Sequence, residues 1–188
     1  MKEVILLGTA RCLIDCPFDC EVWGVNGVYK LVYNLPFYFQ LPSDTVGFLN
    51  KLFIMHKQVY IKGKPAFDWD EINEYSEKHR FEVISLHKIP ELKSTIYPWV
   101  DILNEFNSDY HTSSFDYMIA LAIYEGYKRI RFYGVEFSSL NKPPDCLHER
   151  LGAEYWIGRA HERGIEIILN PESTLLTTTT GRPYAFDG

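Results

Sequence analysis

Five short stretches of this chain combine residue types suited to a phosphorylated small molecule. Gly8-Thr9-Ala10 follows an apolar run, where phosphate-binding turns occur: glycine permits close backbone approach, and main-chain N–H groups with the Thr9 hydroxyl can meet an anion. The full G-x-G-x-x-G fingerprint is absent, and a turn serving only the fold explains the triplet as well. Asn26-Gly27 supplies an amide that both donates and accepts, suited to a base or sugar edge, and is equally an ordinary turn pair. Thr112-Ser113-Ser114 opens a helical pattern, where hydroxyls cap orphan N–H groups and where an anion also fits. Gly134-Val135-Glu136 closes another apolar run, and His148-Glu149-Arg150 opens a further helix. An imidazole is the side chain best matched to taking a proton from a hydroxyl near neutral pH, so His148 is the candidate base. Of His56, His79, His87, His111 and His161, His56 is the best placed, because it closes a strand-like run.

Two other motifs have simpler explanations. Cys12, Cys16 and Cys20 are spaced C-x3-C-x3-C, with Cys146 near His148, but this matches no standard zinc knuckle and reads as buried free thiols. Asp68-Trp69-Asp70 superficially resembles a metal-holding D-x-D. Its place in a helix-starting capping box with Glu71 accounts for both carboxylates. No metal is expected.

The elements that must position these residues alternate. Val4–Leu7, Glu21–Val25, Leu52–Met55, Glu82–Leu86, Arg129–Val135 and Ile165–Leu169 read as strands, several apolar on both faces. Helices are expected after Asp68, over Ser113–Glu125 with a stop at Gly126, and from about Glu149 to Arg163 before Gly164. The pattern predicts an α/β, Rossmann-like fold of about six mostly parallel strands with helices on both faces. Ligands of such sheets bind beyond the carboxyl ends of the strands, which is where these motifs fall, together with Asn170–Ser173. With no repeat or linker, residues 1–176 read as a single domain and 177–188 as a turn-rich tail.

Composition narrows the partner classes. The 188 residues carry 25 acidic and 19 basic side chains, for a net charge of −6, without a run of three Lys or Arg, which argues against nucleic acid. No apolar stretch approaches the ~20 residues of a membrane span, and the opening segment is too short for a signal peptide. A cytoplasmic protein with reduced thiols is the expectation. Tyr29, Tyr33, Phe37, Tyr38 and Phe39 form an aromatic surplus that suits either a ligand wall or a homo-oligomer contact.

In order, VILLGTA, EVWGVNGVY, TSSFDYMIALAIYEGYKRIRFYGVEF, a loop histidine and GIEIILNPESTLL resemble the bacterial family-42 sialyltransferases. They also resemble related α/β proteins frequent in bacteriophage genomes, some similar to pterin diphosphokinases; a phage protein would act in the host cytoplasm. The resemblance implies that Gly8, Thr9 and Asn26 face a nucleotide, that Thr112, Ser113 and Ser114 approach the nucleotide or sugar, and that Gly134 and Glu136 border the same rim. It places Ser173 near the base and His148 as general base of a metal-independent, cofactor-free inverting glycosyl transfer. Two departures stand out. The family's tyrosine-bearing lid, which holds the leaving phosphate, is here the short tyrosine-free stretch 137–147, and the family's aspartate is Glu136. Tyr97, Arg11, Arg150, Arg182 and Tyr184 are the residues that would have to replace the lid donors. Non-catalytic nucleotide sequestration and Mg²⁺-dependent diphosphate transfer are the alternatives.

Overall fold

The computed structural model describes residues 1–58, 60–61, 63–137 and 145–177, so the expected tail from 178 onward and most of the loop after 137 lie outside the described residues. Seven strands form one sheet: β1 (Glu3–Leu7), β2 (Glu21–Val25), β3 (Lys51–Ile54), β6 (Glu82–Ser85), β7 (Thr95–Ile96), β8 (Arg129–Tyr133) and β9 (Glu166–Leu169). Their order is β7-β6-β3-β2-β1-β8-β9, and every neighbouring pair is parallel. A two-stranded antiparallel hairpin, β4 (Tyr60–Ile61) and β5 (Lys64–Pro65), stands apart from it. The helices are α1 (Val28–Val32), α2 (Leu35–Phe39), α3 (Trp69–His79), α4 (Trp99–Phe106), α5 (Ser114–Tyr124) and α6 (Asp145–Glu162), with a 3-10 turn at Arg11–Asp15.

Alternation along the strands divides the interior into two cores. Val4, Leu6, Trp23, Phe53 and Ile84 face α4, α5 and α6, whereas Ile5, Leu7, Val22, Leu52 and Ile54 face α1 and α3. Both faces being covered explains why these strands read as continuous apolar runs. α5 is buried nearly all round, consistent with its apolar sequence, and ends at Gly126 with φ +78°.

Several elements differ from expectation, among them the short helices α1 and α2, the β4–β5 hairpin, and a start of α6 at Asp145 rather than near Glu149. The sheet has seven strands because a two-residue edge strand, β7, is too short to leave a periodic signal. α4 starts after Pro98 and buries Ile102 and Phe106 at helical spacing. Strand β8 stops at Tyr133, because Gly134 turns the chain away at φ +66°. Of the aromatics read as surface, Tyr29 belongs to the core, donating to Glu71 at 2.9 Å, while Phe37 and Tyr38 are exposed. No helix of the described residues is long and apolar enough to cross a membrane.

The chain runs from β1 outward through β2, β3, β6 and β7, then returns through α4 and α5 to place β8 on the other side of β1. The direction of winding therefore reverses between β1 and β8, and a crevice opens at their carboxyl ends.

Candidate functional site

The floor of the crevice is two turns held together by backbone. Beyond the strand ends, Gly8 N–H donates to the Tyr133 carbonyl and Ala10 N–H to the Gly134 carbonyl, both at 2.9 Å. The approach is too close for side chains. A Cβ on Gly8 would lie 2.3 Å from the Gly134 carbonyl oxygen, and one on Gly134 would lie 2.4 Å from the Gly8 oxygen. Gly8 is buried beneath the site, and Thr9 stands exposed above it.

Asn26, at the end of β2, adopts φ +50° and donates its N–H to the Phe53 carbonyl at 3.0 Å. That left-handed turn leaves the Oδ1 atom of Asn26 buried with no hydrogen-bond partner. Across the crevice, the start of α5 is organised by a carboxylate absent from the sequence reading. Asp116 is fully buried and accepts from Thr112 N at 2.5 Å, Thr112 Oγ1 at 3.0 Å, Ser113 N at 2.9 Å and Ser113 Oγ at 2.7 Å. Burial raises its pKa above the usual carboxylate range, although these four donors pull the other way. α6 presses on the same point at Gly152, where a Cβ would lie 2.1 Å from Thr112 Oγ1 and 2.2 Å from Asp116 Oδ2. The signal was available: Ser113-x-x-Asp116 is a capping-box spacing, and Asp116 is the one charged residue within that apolar helix.

Between these walls lies a cleft of about 530 Å³. From the expected set it is lined by Thr9, Asn26, Thr112, Ser113, Ser114, Gly134 and Glu136; His56 and Glu149 join them. Ser114 is 7% exposed, and its Oγ has no partner. The first-turn N–H groups of Ser114 and Phe115 have no carbonyl four residues earlier in the helix to accept them. The lining thus offers hydroxyls, amide atoms and helix-start N–H groups, the equipment for a polar, oxygen-rich guest.

Three expected residues sit differently. Gly8 lies under the cleft rather than on its wall. Ser173 is buried in the turn after β9, where its N–H donates to the Asn170 carbonyl at 2.8 Å, and it does not line the cleft. His148 lies in the first turns of α6 with its ring exposed; its carbonyl accepts from Thr112 Oγ1 at 3.0 Å, and its neighbour Glu149 lines the cleft. The imidazole lining the cleft is His56, which stacks on Phe67 with centroids 6.5 Å apart.

The cysteines stay in thiol form at neutral pH: Cys12 and Cys16 are buried, Cys20 is half-buried, and burial pushes Cys16 up to about 12. The Cys146 side chain lies outside the described residues. Among the described residues, no group of three or more His, Cys, Asp or Glu is arranged to hold a metal ion. Asp68 caps α3, accepting from Glu71 N at 3.0 Å.

No family model and no curated protein matches the chain. Solved structures do. The chain is similar in fold to the sialyltransferase CstII from Campylobacter jejuni. Against its complex with cytidine-5'-monophosphate, identity is 17%, covering 93% of this chain and 82% of that one, with a TM-score of 0.50. The complex with CMP-3FNeuAc gives 15% identity, 90% and 80% coverage and a TM-score of 0.52. The complex with a trisaccharide acceptor and CMP gives 14%, 93% and 83%, and 0.53. The likeness spans nearly the whole chain and is one of fold.

Proposed function

We propose that this protein binds a nucleotide or nucleotide-sugar in the cleft between the ends of β1 and β8, and transfers the sugar to an acceptor hydroxyl. The observation that carries the reading is the pair of buried, unpartnered oxygens, Asn26 Oδ1 and Ser114 Oγ, at opposite walls of a switch-point cleft. Buried polar atoms without partners are costly and rare, and a ligand supplying hydrogen bonds accounts for both. The fold shared with CstII, whose structures hold CMP and a trisaccharide acceptor, supports the same assignment.

In the reaction, the acceptor hydroxyl loses its proton to His148 and its oxygen bonds to the anomeric carbon. The bond from that carbon to the phosphate oxygen breaks, and the nucleotide leaves with the electron pair. Direct displacement inverts the anomeric centre. His148 is favoured over His56 because its main chain is fixed at the rim by Thr112 while its ring stays exposed and able to turn. Incubating the protein with CMP-, UDP- and GDP-sugars should consume one of them. His148→Ala should lower turnover at least a hundredfold with donor binding retained, whereas His56→Ala should keep most turnover. Consumption of none, with water or added acceptors, overturns the transferase.

One observation favours a second reading. Among the described residues, no Lys, Arg or Tyr lines the cleft, so none of them offers the leaving phosphate a cation or phenol there. A protein that only sequesters its nucleotide has no charge developing on a departing phosphate to stabilise, and would return the ligand intact with affinity unaffected by His148→Ala. Diphosphate transfer from ATP would instead be sensitive to a chelator.

A further inference from the structure

A phosphate bound among the cleft residues would meet hydroxyls and N–H groups, but also the Glu136 and Glu149 side chains and the buried Asp116 behind them. Its charge calls for a cation, and the described residues of the cleft lining supply none. Of the residues that could replace the lid donors, most are engaged or lie outside the described residues. Tyr97 is buried, with its hydroxyl donated to the Tyr117 carbonyl at 3.0 Å. Arg150 is held by Glu154 at 2.7 Å and by the Thr177 carbonyl. Arg182 and Tyr184 lie outside the described residues. Arg11 differs: it is exposed and makes no ion pair or side-chain hydrogen bond among the described residues.

Its position matters more than its freedom. Arg11 lines a second groove of about 560 Å³, walled by Ile14, Leu31, Tyr38 and Phe39. Thr9 borders both this groove and the cleft, so the two hollows adjoin at that residue. Thr9 is therefore a ridge with hydroxyl and amide donors on one side and a guanidinium and a phenol on the other. The groove's aromatic wall includes Tyr38, 49% exposed, whose hydroxyl is of the same chemical kind as a lid tyrosine.

We propose that Arg11 is the anion anchor of this site: the ligand's phosphate lies over the Thr9 ridge, paired with the Arg11 guanidinium from the adjoining groove, while the neutral polar part of the ligand fills the cleft. The proposal rests on the nucleotide reading above and adds the residue that recognises the charged group. Guanidinium suits it because its planar fork pairs with two phosphate oxygens and keeps its charge at every working pH. During transfer the same contact would offset the negative charge gathering on the departing phosphate.

Calorimetric titration of the full chain with matched nucleotide and nucleoside pairs (CMP and cytidine, UMP and uridine, GMP and guanosine, AMP and adenosine) tests this. Wild type is expected to bind one nucleotide at least about tenfold tighter than its nucleoside, and added salt should weaken only the nucleotide. Arg11→Gln should weaken that nucleotide by about ten- to a hundredfold, leave the nucleoside unchanged and leave the unliganded melting temperature in place. Arg11→Lys should recover part of the loss. If Arg11→Gln binds the nucleotide like wild type, or weakens nucleotide and nucleoside equally, Arg11 is not the anchor, although the nucleotide reading stands. If wild type binds no member of any pair, the nucleotide reading falls and takes this proposal with it.

Discussion

Ser114 and Asp116 sit two residues apart in α5 and illustrate opposite roles. Ser114 Oγ has no partner in the protein, so it contributes nothing to folding through hydrogen bonding. Ser114→Ala should therefore leave the unliganded protein at least as stable as wild type by chemical denaturation, because an unpaired buried hydroxyl carries only a desolvation cost, while weakening the ligand about three- to tenfold. Loss of stability of several kcal/mol would mean that the hydroxyl is structural. Asp116 accepts from both backbone and side chain of Thr112 and Ser113. Asp116→Ala strands those donors at the start of a buried helix and should cost about 2–4 kcal/mol in the same assay. A change below about 1 kcal/mol would contradict its organising role.

At the scale of elements, the site depends on how closely β1 and β8 approach. Gly134 combines φ +66° with a Cβ position 2.4 Å from the Gly8 oxygen, so Gly134→Ala should destabilise the protein by about 3 kcal/mol or more and reduce soluble yield. A well-folded Gly134→Ala with unchanged melting would show that the two turns separate easily. Much of this level was legible in the sequence. Core strands such as Val4–Leu7 and Glu21–Val25 announce themselves because burial on both faces demands apolar residues at every position, and Asp68 marks α3 because an N-cap has a chemical requirement. Thr9, Asn26 and Ser113 could be placed on one rim because a parallel sheet brings its carboxyl ends together whatever the pairing order. The distinction between lining and supporting residues was not legible. Gly8 and Ser173 lie near the cleft without facing it, and the packing of α6 at Gly152 against Thr112 and Asp116 is a long-range contact that leaves no local signal. The two-residue strand β7 carries too few residues to show a period.

At the scale of the whole molecule, stability should respond to acid through His111. Its ring packs against Trp99, Tyr117 and Trp156, and both ring nitrogens are buried without partners. Burial takes its pKa from the usual 6.5 down to about 4, outweighing the opposing pulls of the Tyr110 backbone and of Asp109. The unfolded chain therefore binds a proton that the folded chain refuses, so stability is full above pH 6.5 and declines as the pH falls toward 4. His111→Phe keeps an aromatic ring and removes the titration. It should flatten that part of the profile of melting temperature against pH, worth about 1–2 kcal/mol after allowance for partial exposure. Parallel profiles for the two proteins would assign the acid sensitivity elsewhere.

The central claim is that a nucleotide occupies the cleft between the ends of β1 and β8, and ligand-dependent melting of wild type beside Ser114→Ala tests it most directly. A ligand that binds only the folded state raises the melting temperature in proportion to its occupancy. At one fixed concentration, at least one nucleotide or nucleotide-sugar should raise the wild-type melting temperature and raise that of Ser114→Ala distinctly less, Ser114→Ala melting no lower than wild type without ligand. Equal shifts in both proteins, or no shift with any nucleotide, would contradict the account.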